Sequence, residues 1–255
     1  MGCHNVRVTA APALRIHLCG PLVIEREGRR LDRELPGRQG ELVFAYLACN
    51  RHRPVHRSEL VDAIWPEPPA AADGALNALV SKLRRVLGAG AVDGRSTLQL
   101  RVENAWVDLE SAAEAVHRAE SAVAVGDWGR AWGPSLAALF TAQREFLPGH
   151  DRPWVDQERA RLADIHLRAL EAYGSCCVEI GGTELAAGVR AGRELVRLAP
   201  LRESGYQLLM RALASQGNVA EALRVYTDLC ATLRDELGVP PCAATRSVHD
   251  RILTA

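Results

Sequence analysis

Leu14, Ile16 and Leu18 alternate with Arg15, His17 and Cys19, the period of two that marks a strand with one buried face. Gly20-Pro21 interrupts the alternation and residues 22–25 resume it. Arg26-Glu27-Gly28-Arg29 then reads as a turn before Leu31. A small antiparallel sheet is expected at the front of the chain. The period then lengthens. Leu42, Val43, Tyr46 and Leu47 form a helical stripe after Pro36-Gly37. A short second helix is expected from Ser58, read as its N-cap, through Leu60, Val61 and Ile64 to Trp65. Pro66, Pro68 and Pro69 end it. A third helix spans 73–87, with Leu76, Leu79, Val80, Leu83 and Leu87 on one face and Gly88 in place as C-cap. Alternation returns over 97–103 (Leu98, Leu100, Val102). With a turn at Glu103-Asn104 and then Trp106-Val107, it predicts a β-hairpin.

From Leu109 onward no strand pattern remains. Helical stripes are expected over 112–125, 128–139, 155–180, 184–198, 203–216, 219–236 and 243–253, most of them separated by Gly, Asn or Pro. Two stretches repeat at an offset of roughly 35 residues, near the tetratricopeptide period. Val178-Glu179-Ile180-Gly181-Gly182 precedes Leu185-Ala186-Ala187, and Leu213-Ala214-Ser215-Gln216-Gly217 precedes Val219-Ala220-Glu221-Ala222-Leu223. Small residues at Ala187, Gly188 and Ala222 suit close antiparallel helices. An α-helical array whose units stack on one another and offer a groove follows. Trp128, Trp132 and Trp154 at helical positions read as core, and Tyr173, Tyr206 and Tyr226 as packing residues of the array.

Composition changes this picture little. At 255 residues, 48% hydrophobic and 24% charged, the chain has room for two cores. Its net charge of +0 hides an asymmetry: 15 Lys and Arg against 11 Asp and Glu before residue 108, and 16 against 20 from there on. A basic front and an acidic back point nucleic acid toward the front. No apolar run is long enough to cross a membrane, and residues 1–13 lack a signal-peptide pattern. The seven cysteines, an odd number without CxxC spacing, fit a reducing cytoplasm. The adjacent Cys176 and Cys177 read as small buried filler rather than a redox pair. The motifs of dinucleotide, P-loop, zinc-protease and serine-hydrolase enzymes do not occur. His52 and His56 are four apart, but Pro54 between them breaks the helical geometry a metal would need. No enzyme activity, cofactor or metal site is expected.

Strands, three helices and a hairpin make the layout of a winged helix-turn-helix, similar to the DNA-binding domains of OmpR-like response regulators. Residues 194–238, ELVRLAPLRESGYQLLMRALASQGNVAEALRVYTDLCATLRDELG, followed by Val239-Pro240-Pro241, resemble the bacterial transcriptional activation domain of the Streptomyces antibiotic regulatory protein family. Phe146-Leu147-Pro148-Gly149, Pro153-Trp154-Val155 and Arg159-Ala160-Arg161-Leu162 fit the same domain. Residues 18–22, 59–65 and 81–88 fit the front of that family, so the resemblance runs over about 14–253. It implies a mainly α protein in three parts: a flexible N-terminus over 1–13, a winged helix-turn-helix over 14–107, and an all-α tetratricopeptide-like domain over 108–255. It implies a sequence-specific activator of secondary-metabolite genes that binds promoter direct repeats in double-stranded DNA. It also implies contact with RNA polymerase or a sigma factor and a homodimeric form on DNA. With the chain ending after the helical part, no NTPase or forkhead-associated module is expected.

Geometry alone selects the DNA-facing groups. Turning Leu76, Val80, Leu83 and Leu87 inward turns Gly74, Asn77, Ala78, Ser81 and Arg85 outward, with Lys82 and Arg84 flanking. Arg pairs with guanine O6/N7 and Asn with adenine N6/N7. Arg84 on the flank is expected to meet phosphate. Arg38, Arg57 and Ser58 stand at helix starts, where N–H groups and cations hold phosphate, and Arg95 and Arg101 belong to the wing. The bland reading of each is a solvated surface. Asp73, Gly74, Ala75 and Ala78 occupy the first turns, where the family usually carries polar or basic residues, and Thr97-Leu98-Gln99-Leu100 replaces its Gly-Tyr step in the wing. These departures favour a rival: an interaction regulator whose DNA face has decayed and which acts through a partner.

Overall fold

The computed structural model describes residues 14–102 and 104–254. The expected flexible stretch 1–13 and Glu103 of the expected turn lie outside them. The chain forms two compact units. One holds the residues up to Glu110 together with Glu145–Arg159, and the other holds Ser111–Arg144 and the residues from Ala160 onward. A single boundary at 107/108 therefore misses the return of residues 145–159 to the first unit.

In the first unit, β1 (Leu14–His17), β2 (Val23–Arg26) and β3 (Arg29–Arg30) form the expected antiparallel sheet. Glu27 and Gly28, both at positive φ, make the tight β2–β3 turn. Leu14, Ile16 and Ile24 are fully buried beneath it. Then follow α1 (Gly37–Cys49), β4 (Val55–His56), α2 (Arg57–Ile64), α3 (Ala72–Leu87), β5 (Val92–Asp93), β6 (Thr97–Leu100) and β7 (Ala105–Val107). The Arg26 guanidinium ties β2 to the end of α3 through the Leu87 carbonyl at 2.9 Å.

Two local expectations need correction. Residues 97–107 are not a hairpin. β6 pairs antiparallel with β5 and β4, whereas β7 joins the first sheet, parallel to β1 (Leu14↔Ala105, Ile16↔Val107). This arrangement buries Leu98 and Leu100 in one place and Val107 beside β1 in another. The wing is thus the β5–β6 hairpin, and its turn contains Gly94 at φ +100. Nor is Ser58 an N-cap. His56 holds that position without a side-chain cap, and Ser58 lies in the first turn of α2.

Behind β7, Asp108 is buried at 2% exposure. Its carboxylate accepts the N–H groups of Leu18 (2.9 Å), Cys19 (2.9 Å) and Leu109 (2.8 Å). Residues 145–159 complete this unit. Leu147 N–H donates to Leu18 O at 3.0 Å and Gly20 N–H to Glu145 O at 2.7 Å. Phe146 is fully buried, and Trp154 packs edge-on against Tyr46 and Phe146 while its Nε1–H reaches Ala63 O at 3.0 Å.

α1 and α2 are joined by Tyr46, Arg53 and Glu59. Tyr46 donates to Glu59 Oε1 at 2.6 Å, and the Arg53 guanidinium forks onto both Glu59 oxygens. Arg53 above all, and the Tyr46 hydroxyl, hold the Glu59 carboxyl down to about 2 against the opposing effect of burial. A carboxylate whose folded value lies below its ordinary 4.5 contributes stability above that pH and loses it as the pH falls toward about 2. Glu59→Gln should therefore lower the thermal midpoint of the first unit above pH 4.5. The gap from the parent should close by about pH 2. A gap constant across that range would remove Glu59 from the α1–α2 seam.

The second unit is helical among its described residues. α4 (Asp108–Ala124) and α6 (Pro153–Ile180) begin in the first unit and continue into the second. With them run α5 (Trp128–Ala142), α7 (Leu185–Leu198), α8 (Glu203–Ser215), α9 (Val219–Leu237) and α10 (Ala243–Thr254). Val189, Leu209, Leu213, Ala222, Val248 and Ile252 form one core, and Leu170, Ala191, Leu195 and Leu208 a second. α7 lies close on α8 because Gly192 has no side chain: a Cβ there would stand 2.9 Å from Leu209 Cα. Tyr206 is buried, with its hydroxyl on Pro200 O at 3.0 Å, and Tyr226 stacks on His249. Cys176 and Cys177 are fully buried, and burial pushes both thiols up, Cys176 to about 11. Neither offers a thiolate.

Candidate nucleic-acid interface

The recognition helix of a helix-turn-helix needs one face in the core and the other in water. α3 meets that condition: Leu76, Leu79, Val80, Leu83 and Leu87 are buried, and Gly74, Asn77, Ala78, Ser81, Lys82 and Arg85 are exposed. From Gly74 to Arg85 this face runs about 16 Å, enough to lie along a major groove about 12 Å wide. The side chains of Ser81, Lys82 and Arg85 make no hydrogen bond or ion pair among the described residues. Their donors are free for an outside partner.

Arg84 has a different task from the one its flanking position suggested. It is half-buried, with Nε on Val92 O at 2.8 Å and an Nη on Gly94 O at 2.7 Å. Its guanidinium holds the wing to α3 and leaves little for phosphate. Arg84→Ala should free about 1–1.5 kcal/mol of wing anchoring, so amide exchange over residues 92–100 should quicken about tenfold while α3 keeps its protection. Equal protection of the wing in both proteins would refute this anchoring role. Gly94 serves the same turn: a Cβ there would meet Thr97 O at 2.0 Å.

Arg57, at the first position of α2, also reaches across. One Nη donates to Asn77 Oδ1 at 2.9 Å, its Nε stands 3.7 Å from Asp73, and the other Nη approaches Arg95 O at 3.4 Å. This cluster joins the start of α2, the first turns of α3 and the tip of the wing. Arg95 itself is exposed at that tip. Arg101 lies at the foot of the wing, its N–H on Ala91 O and its guanidinium 3.8 Å from Asp93. Arg38 is exposed at the start of α1, where its guanidinium bonds Gly149 O. Ser58 is exposed in the first turn of α2. Of the ten candidates, Arg57 and Asn77 are in direct contact, Ser81, Lys82 and Arg85 share a face, and Arg38 stands apart at the start of α1. Sequence reasoning missed the bonds of Arg84 and Arg57 because their acceptors lie 8 to 38 residues away and leave no periodic trace.

A winged helix-turn-helix followed by an all-helical array is the class this fold and surface define. The chain belongs to the family of the bacterial transcriptional activator domain, whose model matches residues 107–253. The model of the transcriptional regulatory protein C-terminal domain matches residues 34–99. Among curated relatives, the chain is 34% identical to the regulatory protein AfsR of Streptomyces coelicolor, over 95% of its own length and 24% of that protein's. It is 28% identical to the regulatory protein DnrI of Streptomyces peucetius, over 95% and 93%. Among solved structures, EmbR of Mycobacterium tuberculosis in complex with a low-affinity phosphopeptide matches with a TM-score of 0.81 at 26% identity. That match covers 96% of this chain and 66% of that one. The chain thus spans about a quarter of the length of AfsR.

Proposed function

We propose that the chain is a transcriptional regulator that binds double-stranded DNA through its winged helix-turn-helix, with α3 in the major groove and the wing beside it. The outward face of α3, where Ser81, Lys82 and Arg85 are exposed and unpartnered, carries this reading. The names of its relatives, regulatory and transcriptional regulatory proteins, support it. In the same reading the helical unit contacts RNA polymerase or a sigma factor, allows self-association on DNA, and activates genes of secondary metabolism. No catalytic step is involved. No described helix is long and apolar enough to cross a membrane.

The rival, a regulator acting through a partner, draws on the first turns of α3. Asp73 is 84% exposed there, and Gly74 and Ala78 bring no hydrogen-bonding side chain. Fluorescence anisotropy on duplex DNA across a salt series separates the two. Phosphate contacts should give a slope of log K against log salt of about −0.9 per phosphate neutralised. Salt-independent or absent binding, with capture of a related regulator, would favour the rival.

A further inference from the structure

Arginine has only donors, so whatever side-chain atom of Asn77 meets the Arg57 guanidinium at 2.9 Å must be the carbonyl oxygen. The chemistry fixes the orientation of the amide. With Oδ1 on Arg57, the Nδ2 amino group diverges by about 120° and has no partner among the described residues. The Arg57 side chain is only 21% exposed, and Asp73 stands 3.7 Å from its Nε. Its charge is therefore partly neutralised and its donors are partly used, which suits a bracket better than a phosphate clamp. The same guanidinium approaches the backbone oxygen of Arg95, so one side chain references Asn77 to the tip of the wing.

We propose that Arg57 is a positioning residue for base reading: it locks Asn77 so that the amide meets the major groove as a hydrogen-bond donor. The inference rests on α3 being the groove helix. An Asn free to rotate offers donor and acceptor together and pairs bidentately with adenine N6 and N7. With Oδ1 engaged by Arg57, the outward NH₂ seeks an acceptor edge. Purine N7, guanine O6 and thymine O4 qualify, and the cytosine amino group is rejected. In this reading Arg57 touches no base, and its effect on base preference is read through Asn77.

The test selects binding sites for the full chain from a pool of randomised duplex DNA. It then measures affinity and salt dependence for the parent, Arg57→Ala, Arg57→Lys, Asn77→Ala and the Arg57→Ala/Asn77→Ala pair, with circular dichroism to confirm folding. Arg57→Ala and Asn77→Ala are each expected to lose about tenfold on the selected site and to flatten the preference at the same single base pair. The pair should lose no more than either alone. The salt slope of Arg57→Ala should equal the parent's. Arg57→Lys keeps the charge but not the fork, and should flatten the preference as well. It serves also where Arg57→Ala fails to fold. Uniform weakening on every sequence with a slope shallower by about 0.9, full rescue by lysine, or additive losses in the pair would each overturn the proposal and make Arg57 a phosphate contact. If the parent selects no site at all, the groove-helix reading falls and takes this inference with it, an outcome distinct from the others.

Discussion

Asp108→Ala is expected to cost the first unit about 3–5 kcal/mol, a large share of the roughly 5–15 kcal/mol that keeps a domain folded. At 2% exposure, Asp108 is the acceptor for three backbone N–H groups, those of Leu18, Cys19 and Leu109. Alanine would leave all three donors buried without partners, each at about 1–3 kcal/mol before any water enters. The position is also where β7 ends and α4 begins, and its partners Leu18 and Cys19 follow the end of β1, so the loss loosens the β1–β7 pairing that closes the first sheet. Asp108→Asn keeps one acceptor oxygen but turns an NH₂ toward an N–H, and about half the loss is expected. Urea unfolding followed by tryptophan fluorescence checks both, since Trp106 stands beside His17 in β1. A change under about 1 kcal/mol for alanine would mean that water or a neighbouring carbonyl takes over the three donors.

Arg85→Ala is expected to carry the largest loss in DNA binding of any single change on α3. Arg85 is exposed, has no partner among the described residues, and sits on the line of Asn77 and Ser81. A guanidinium there can span guanine O6 and N7, at about 1–3 kcal/mol of discrimination, or roughly 5- to 150-fold on a selected site. Preference at one base pair should relax. Lys82→Ala should instead weaken every sequence by a similar factor and make the salt slope shallower by about 0.9. Arg84→Ala, first expected to act like Lys82, should act through the wing, because its donors are engaged by Val92 and Gly94. If Arg85→Ala binds the selected site as the parent does, α3 does not read bases.

Helices were legible because their evidence is local. Leu76, Leu79, Val80, Leu83 and Leu87 recur at helical spacing, and Gly88 at φ 99 ends the run where the pattern placed it. The same holds for the helical unit, where small residues such as Gly188 mark the close crossings. Pairing between distant strands was not legible. Ala105-Trp106-Val107 alternates as well for a hairpin with β6 as for a parallel strand beside β1. Only burial of Val107 next to Ile16 and the reach of Asp108 to Leu18 decide between them. Nor does a local pattern show that Phe146 and Trp154, 38 residues or more beyond Asp108, pack with Tyr46 and Ala63 of the front unit. At the candidate interface, the outward face of α3 followed from periodicity. The roles of Arg57 and Arg84 did not, since a long cation chooses among acceptors that only the folded chain brings near.

The most direct measurement places a photo-crosslinking residue at Ser81, outward on the middle of α3, and a second at Arg130, exposed on the helical unit. Each protein is irradiated on selected duplex DNA at low and high salt. The expected result is a crosslink from position 81 to bases within the site, suppressed by high salt, and none to bases from position 130. Binding that persists without any crosslink from position 81 would contradict the placement of α3 in the groove.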